Sequence, residues 1–334
     1  MNPNPNCMLS VIVPAYNEEE VLPIFHDRLV AALAHVKELE GRWEVIYVND
    51  GSKDATLRIL KELQLTDPAI GVAALSRNFG KEAAMSAGLK LALGDAMILI
   101  DADLQDPPEL IGEMVRVWQQ GADVVNMKRS SRQGETWFKK ASAAWFYKVI
   151  NWLSEVPIPE NVGDFRLLSR RAVDALNQLP ERNRFMKGLF AWIGYKQVVV
   201  EYERHSRVAG QTKWPYRKLF HFAIEGITGF SVVPLRLASY AGLLTAFLAF
   251  VYAVLLLVKT LTIGESVKGF PTLELTILIL GGLQLMALGI IGEYLGRLFM
   301  ESKRRPLFLI DEYLAPQAVA ASVAVDSLDQ TISA

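Results

Sequence analysis

Hydrophobic and polar positions over the first 130 residues alternate between two patterns. Short apolar runs predict strands at Leu9–Val13, Glu44–Val48, Gly71–Leu75, Ala96–Ile100 and Asp123–Met127. Longer stretches with helical spacing lie between them, at Val21–Leu39, Asp54–Leu65, Glu82–Leu93 and Pro108–Gln120. Strands that alternate with helices predict an α/β fold with a mainly parallel sheet, in which ligands bind beyond the carboxyl ends of the strands.

The C-terminal third has a different pattern, with two stretches that contain no charged residue, Leu237–Val258 and Leu275–Gly292. Each is long enough to cross a bilayer as a helix, so the sequence predicts two transmembrane helices rather than two buried core helices. Basic residues flank the pair on its outer sides: Lys213, Arg217, Lys218, Arg236, Arg297, Lys303, Arg304 and Arg305. The positive-inside rule then places both ends of the pair in the cytosol. The first twenty residues lack a signal-peptide pattern, so we expect a multi-pass protein whose N-terminal region and both termini are cytoplasmic.

Two stretches before the spans combine lysines with aromatic residues at helical spacing, at 136–153 and 213–230. Such stretches are typical of amphipathic helices in a membrane interface, although a core-packing helix is the alternative. The predicted organisation is an α/β core at 1–135 and a region with interfacial helices at 136–234. Two spans follow at 235–299, and then a cytosolic tail at 300–334 whose end we expect to be disordered.

Composition narrows the class of protein further. The chain has 334 residues, of which 51% are hydrophobic and 21% charged, and its net charge is −1. It is too apolar for a disordered chain and too balanced in charge for a general nucleic-acid binder. A single cysteine, Cys7, excludes an internal disulfide framework, and the four histidines show no metal-binding spacing.

Polar loops follow four of the predicted strands, and all four quoted segments contain acids: "PAYNEEE", "NDGSKD", "SRNFGKE" and "DADLQD". Neither a dinucleotide-binding G-x-G-x-x-G nor a P-loop occurs there. Asp101 and Asp103 are two apart, so their side chains share one face if the chain is extended, and Gln105 continues that face. Hard oxygen ligands suit Mg²⁺ or Mn²⁺, which complete their shell with water and substrate phosphate. The cluster therefore predicts half of a metal–diphosphate site.

The motifs "VIVPAYNEEE", "VNDGSKD", "SRNFGKEAA", "DADLQDP" and "VGDFRLLSR" occur in this order, followed by "RVAGQTKW". In this combination the chain resembles the family 2 glycosyltransferases of GT-A fold. With two C-terminal spans it resembles their polyprenyl-phosphate group, which includes dolichol-phosphate mannose synthase. The bactoprenol glucosyltransferases of O-antigen modification in lipopolysaccharide are the most similar members of that group.

The resemblance implies an inverting transfer of a hexose, glucose from UDP-glucose, to polyprenyl (undecaprenyl) phosphate at the cytosolic face of a bacterial inner membrane. It assigns nucleotide-sugar binding to Pro14, Tyr16, Glu18, Asp50 and Lys81. It assigns metal binding to Asp101, Asp103 and Gln105. It counts Asp101, Asp103, Asp164 and Arg166 as catalytic, with Asp164 near the sugar and Arg166 near the phosphates. A phosphate monoester is mostly dianionic at neutral pH, so Asp164 is interpreted as a positioning residue rather than an obligatory base.

A lipid phosphate must be held by cations at the membrane surface. The candidates are Arg129, Arg132, Arg204, Arg207 and Lys213. Arg207 and Lys213 belong to the "RVAGQTK" pattern of the resemblance. All of these residues could instead extend toward anionic headgroups.

Several alternatives stay open. The donor could be GDP-mannose, UDP-GlcNAc or an aminoarabinose derivative, and the protein could be a non-catalytic binder of lipid carriers. A processive polysaccharide synthase is disfavoured because the chain has no Q-x-x-R-W motif. Gly292 and Gly296 form a small-xxx-small pair that predicts a homo-oligomer, unless they pack against the other span of the same chain. A flippase and a downstream transferase are further expected partners, and nucleic acid is not.

Overall fold

The structure is a computed structural model that describes residues 8–129, 162–181, 184–202, 233–263 and 269–317. These residues contribute eight strands to one sheet: β1 Leu9–Ala15, β2 Trp43–Asn49, β3 Ile70–Leu75, β4 Ala96–Leu99, β5 Val124–Arg129, β6 Val162–Ser169, β7 Gln197–Tyr202 and β8 Ile310–Leu314. The order across the sheet is β7-β5-β6-β4-β1-β2-β3-β8. All five predicted strands are confirmed, with ends that differ by one or two residues.

The described helices are α1 Leu22–Ala34, α2 Thr56–Thr66, α3 Lys81–Leu91, α4 Ile111–Gln119, α5 Arg170–Gln178, α6 Met186–Trp192, α7 Val233–Ile263 and α8 Phe270–Ser302. Single 3-10 turns occur at Lys37–Leu39 and Pro108–Leu110. The first four helices confirm the four predicted between the strands. The second begins two residues after Asp54 because the Asp54 carboxylate accepts a hydrogen bond from the Thr56 N–H, 3.0 Å away, ahead of the first turn.

The alternation of side chains along β1 shows how the sheet divides the core. Leu9, Val11 and Val13 pack into one hydrophobic cluster with residues of α1, α2 and α4. Ile12 points to the opposite face and joins a second cluster with residues of α3, α5 and α6. The domain is therefore a three-layer α/β/α arrangement, as the alternation of strands and helices predicts.

Strand direction decides which residues meet at the edge where β1 to β5 end. The pairs β1–β2, β1–β4 and β2–β3 are parallel, whereas β6 runs antiparallel between β4 and β5. The amino-terminal end of β6 therefore lies at the carboxyl end of β4. In this register Leu99 pairs with Arg166, which brings residue 164 beside residue 101.

Two long apolar helices, α7 and α8, follow the sheet domain along the chain. Among the described residues, one segment is long and apolar enough to cross a membrane, Ile279–Ser302, with 24 residues and a mean hydropathy of 1.4. The apolar stretch of α7, Ala238–Tyr252, is shorter than a membrane span requires. One candidate membrane-spanning helix is therefore established, and the expectation of two transmembrane helices is not confirmed. The predicted interfacial helices at 136–153 and 213–230 lie outside the described residues.

After α8 the chain returns to the sheet domain, although the sequence pattern predicts only a tail there. Strand β8 pairs antiparallel with the outer edge of β3. Pro316 packs against Gly71 so closely that a Cβ at Gly71 would lie 2.8 Å from the proline ring. Phe308 and Tyr313 pack against the cluster that contains α3. The return segment therefore covers an edge strand that would otherwise be open to other chains.

Replacing Tyr313 by alanine is expected to lower the free energy of unfolding by about 2 kcal/mol, because a partly buried aromatic contact between β8 and the core is lost. Burial already raises the pKa of the Tyr313 hydroxyl to about 12, which agrees with its packed position. Thermal unfolding of the sheet domain would measure the change. Asp311→Ala, at an exposed position of the same strand, serves as the control and should change stability by less than about 0.5 kcal/mol. Equal effects of the two substitutions would contradict a packing role for β8.

Candidate functional site

An ammonium group held between two carboxylates lies at the carboxyl edge of β4. Lys81, the first residue of α3, places its Nζ 2.7 Å from an Asp101 oxygen and 2.5 Å from Asp164 Oδ2. Asp101 follows β4 and Asp164 lies near the start of β6, so the antiparallel insertion of β6 creates this contact. The three side chains are 40%, 26% and 18% exposed in the order Lys81, Asp101, Asp164, which leaves the group reachable from solvent.

Charge compensation fixes the ionisation states of this group. Burial alone would lower the pKa of Lys81, but Asp101 and Asp164 together raise it above its ordinary value. Burial likewise would raise the pKa of Asp164, yet Lys81, Lys187 and Arg166 hold it well below its usual range. Lys81 is therefore protonated and Asp164 is ionised throughout the neutral range. A carboxylate with so low a pKa is a poor proton acceptor.

The "DADLQD" segment turns sharply instead of continuing β4. Leu104 has a φ of +58°, so Gln105 does not extend the face shared by the first two acids, as it would on an extended chain. Asp103 is partly buried, and its Oδ1 accepts a hydrogen bond from the Gln105 N–H at 3.2 Å. Asp106 is buried and accepts a hydrogen bond from the Tyr202 hydroxyl. This hydrogen bond joins the turn after β4 to the end of β7.

Cations surround Asp164 on the β6 side. The Arg166 guanidinium is 3% exposed, stacks 3.9 Å above the Phe190 ring and donates to the Gly163 carbonyl oxygen at 2.6 Å. Arg129, at the end of β5, lies against Gly163, where a Cβ would be 3.0 Å from its Nη2. Lys187 of α6 also acts on Asp164. Arg129, predicted as an acceptor-phosphate ligand, therefore lies in the same cluster as Asp164 and Arg166.

The loops after β1 and β2 are joined by reciprocal hydrogen bonds. The Asn17 N–H donates to Ser52 Oγ at 3.1 Å, and the Lys53 N–H donates to Asn17 Oδ1 at 2.9 Å. The Glu18 N–H donates to Thr56 Oγ1 at 2.9 Å. These bonds order the loop that carries Pro14, Tyr16 and Glu18, and they leave Tyr16 41% exposed at the edge.

Asp50 is almost fully buried and holds the next loop rather than facing solvent. Its two carboxylate oxygens accept hydrogen bonds from the N–H groups of Phe79 and Gly80, at 2.7 and 2.9 Å. Burial raises the pKa of Asp50, and these two hydrogen bonds oppose the change. The described contacts of Asp50 position the start of α3, and hence Lys81. Its predicted contact with a nucleotide stays a prediction.

Gly51 allows these loops to approach one another. Its φ is +64°, and a Cβ there would lie 2.5 Å from the backbone of Arg77 and Asn78. Gly51→Ala is therefore expected to cost about 3 kcal/mol of folding free energy, from backbone strain and from the displaced loop. Gly41→Ala is the control, because Gly41 has a φ of +76° but no atom within 4 Å, and about 1 kcal/mol is expected there. Urea unfolding of both variants measures the difference, and equal costs would rule out the loop contact as its cause.

The acids of the site fit a divalent cation only in part. Among the described residues, no group of three or more His, Cys, Asp or Glu side chains could hold a metal ion. Asp101 and Asp103 nevertheless supply hard oxygen ligands, and Mg²⁺ often takes one or two carboxylates and draws its other ligands from water and substrate phosphate. The residues present therefore fit an ion that arrives with a diphosphate better than a permanently bound ion.

Several predicted residues lie outside the described part of the chain: Arg132, Arg204, Arg207 and Lys213. Sequence reasoning also missed one residue of the site, Lys187. A signal was present, because Lys187 interrupts the apolar segment "RFMKGLFAW", where a lone lysine is unusual unless it has a partner or a ligand.

Comparison with known proteins adds an independent observation. The sequence model of glycosyl transferase family 2 matches residues 10–176. An uncharacterized glycosyltransferase of Synechocystis is 52% identical over 304 residues, which cover 91% of this chain and 95% of that protein. The prophage bactoprenol glucosyl transferase homolog of Escherichia coli is 47% identical and covers 90% of this chain and 98% of its own. The bactoprenol glucosyl transferase of Shigella phage SfV is 48% identical, with 90% and 97% covered.

Proposed function

The chain belongs to glycosyl transferase family 2, and we propose that it transfers glucose from UDP-glucose to a polyprenyl phosphate. The main observation in support of this proposal is that carboxylates and cationic side chains lie together at one edge of the sheet. Carboxylates that suit a metal–diphosphate, Asp101 and Asp103, lie beside a cluster of cations around Asp164. Relatives named as bactoprenol glucosyl transferases, similar over nearly their whole length, support the choice of acceptor and sugar.

In the proposed reaction a phosphate oxygen of the lipid attacks the anomeric carbon from the face opposite the nucleotide. The bond from that carbon to the diphosphate oxygen breaks, and UDP leaves with the electron pair. Single displacement inverts the anomeric centre, so an α-linked donor gives a β-linked lipid product. The lipid phosphate is already mostly dianionic at neutral pH, so no proton must be removed first.

The residues of the site take separate roles in this proposal. Asp164, ionised and held by Lys81, orients the sugar and is not the proton acceptor. Exposed Tyr16 and the ordered loop after β1 bind the nucleotide. Arg129 and Arg166 stabilise phosphate charge. A divalent ion, Mg²⁺ or Mn²⁺, if held by Asp101 and Asp103, would supply Lewis-acid stabilisation of the leaving diphosphate, and a contact of Gln105 with that ion stays a prediction.

The location of the reaction is also part of the proposal. We place the sheet domain and both termini at the cytosolic face of a bacterial inner membrane, with α7 and α8 as the two spans. Arg132, Arg204, Arg207 and Lys213 remain proposed contacts to the lipid phosphate. A homo-oligomer through Gly292 and Gly296, a flippase and a downstream transferase remain predictions as well.

The test uses purified full-length protein, undecaprenyl phosphate, Mg²⁺ or Mn²⁺, and radiolabelled UDP-glucose, UDP-GlcNAc and GDP-mannose. Label from UDP-glucose is expected to enter the organic phase, and chelation of the metal should abolish the transfer. Undecaprenol without phosphate is the matched acceptor control and should receive no label. Transfer from a different donor would correct the sugar but keep the reaction. No transfer from any donor, with the lipid still bound, would favour a non-catalytic lipid-carrier protein.

A further inference from the structure

Lys187 is a cation in a mostly apolar helix, and it has no direct partner among the residues that the structure describes. It lies in the first turn of α6, where Met186 and residues 188–191 are buried. Lys187 itself is partly buried, and among the described residues it makes no hydrogen bond or ion pair. A desolvated ammonium in that position is costly unless something anionic completes its surroundings.

The described charges around Lys187 do not supply that anion. Among the described residues, the charged groups that act most strongly on its ammonium are one acid, Asp164, and three cations, Arg166, Lys81 and Arg129. Asp164 is already bonded to Lys81. A second acid on this side, Glu82, bonds to the Met186 N–H at 3.2 Å, and burial and then Asp164 raise its pKa to about 7, so its charge is incomplete. Among the described residues, positive charge therefore exceeds negative charge on the β6 side of the site.

The available space shows on which side an anion could bind. Lys187 and Arg166 border a small cavity of about 10 Å³, together with Asn126 and Gln197. That volume admits no more than one water molecule, so it cannot hold a phosphate group. An anionic ligand of Lys187 must therefore approach from the other side, where Lys81 and Asp164 are partly exposed.

We propose that Lys187 binds a phosphate group of a substrate at this site, alongside Arg166 and Arg129. The ligand class is a phosphate ester, either the diphosphate of the sugar donor or the monophosphate of the lipid. The identity of these two substrates rests on the proposed function, but the excess of cations does not. Lys187 is thereby a binding residue that the sequence motifs do not mark.

The test compares Lys187→Met and Lys187→Arg with the wild-type full chain by calorimetry in detergent. The probes are two pairs of compounds, UDP with uridine and farnesyl phosphate with farnesol. In each pair the first compound carries phosphate and the second does not. Lys187→Met should weaken binding of at least one phosphate compound about tenfold or more and leave its phosphate-free partner unchanged. Lys187→Arg should retain binding within about threefold, because it keeps the charge. Lys90→Met, at the exposed far end of α3, is the matched control and should change neither.

The outcomes distinguish the sugar donor from the lipid as the ligand of Lys187. They also test phosphate binding separately from the proposed sugar transfer. A loss confined to UDP assigns Lys187 to the donor, and a loss confined to farnesyl phosphate assigns it to the lipid. Unchanged binding of both, or equal losses for the phosphate-free partners, overturns the proposal. Wild-type protein that binds neither phosphate compound more tightly than its partner also overturns it. Phosphate binding that depends on Lys187, in a protein that transfers no sugar, would instead overturn the proposed function alone.

The melting temperature provides a second measurement, which shows whether the Lys187→Met variant is folded. Burial lowers the pKa of Lys187, so the charged form is disfavoured by the fold. Lys187→Met should therefore melt at the same temperature as wild type or higher, while it loses phosphate affinity. Lower affinity together with a lower melting temperature would indicate a structural role and count against the proposal.

Discussion

Replacing Asp103 by asparagine is expected to lower the rate of sugar transfer about 10³-fold at saturating donor and lipid. Asp101 and Asp103 are the two acids of the turn that ends β4, and Asp103 lies partly exposed there. In the proposed reaction Asp103 is one of the two carboxylates that hold the cation entering with the diphosphate. The amide keeps the size of the side chain but removes the charge that a hard cation requires.

The measurement is the initial rate across a titration of Mn²⁺, which separates weaker metal binding from slower chemistry. Asp95→Asn makes the same chemical change at the opposite end of β4 and should leave the rate within about twofold. An Asp103→Asn enzyme that reaches a tenth of the wild-type rate at high metal would show that this carboxylate is not a required ligand.

Replacing Asp164 by asparagine is expected to reduce both stability and transfer. Asp164 is the acid that Lys81, Lys187 and Arg166 share, and its side chain is only 18% exposed. Removing one partner of a buried ion pair leaves charges uncompensated, so we expect a loss of about 3 kcal/mol at pH 7. The sugar also loses a fixed anionic neighbour, for which a rate loss of about 10²-fold is expected.

The dependence on pH distinguishes this cause from a packing defect. The folded-state pKa of Asp164 lies below its value in the unfolded chain. Its contribution to stability is therefore complete above the unfolded pKa of about 4 and is lost as the pH falls toward the folded pKa. The difference in melting temperature between wild type and Asp164→Asn should be largest near pH 5, because Asp164 also raises the pKa of Glu82 and thereby costs stability above pH 7, and it should shrink below pH 4. A constant difference down to pH 3 would contradict an electrostatic origin.

Asp174→Asn is the control for this pair of experiments. Asp174 is 53% exposed and lies 3.8 Å from Arg170 one helical turn away, a surface pair of little energetic weight. Its substitution should change stability by less than about 0.5 kcal/mol at every pH.

The first four strand–helix units could be predicted from the sequence for a physical reason. Each strand is a short, mostly apolar run, and each helix between the strands shows its own apolar spacing, so local pattern and tertiary position agree. Because the strands are parallel, the loops at their carboxyl ends fall on one edge whatever their order. That is why the acids after β4 could be assigned to a site before the structure was known.

The remaining strands required information that local pattern does not contain. Strand β6 inserts antiparallel between β4 and β5, and this pairing alone brings Asp164 to Asp101. Strand β8 lies more than 200 residues from β3 along the chain, and only its docking on that strand defines it. The hydrogen bond from the Phe79 N–H to Asp50 and the excess of positive charge near Lys187 also depend on tertiary contacts between loops and helices that are distant in the sequence.

The docking of β8 also limits how far the sheet domain can move from α8. Only residues 303–309 join the end of α8 to the start of β8, a stretch that extends about 25 Å at most. With α8 anchored in a bilayer, the start of β8 stays within that distance of the end of α8, so the sheet domain is tethered close to the membrane surface. A lipid acceptor then finds the enzyme by lateral diffusion in two dimensions, and its local concentration is set by its mole fraction in the bilayer rather than by its concentration in the cell.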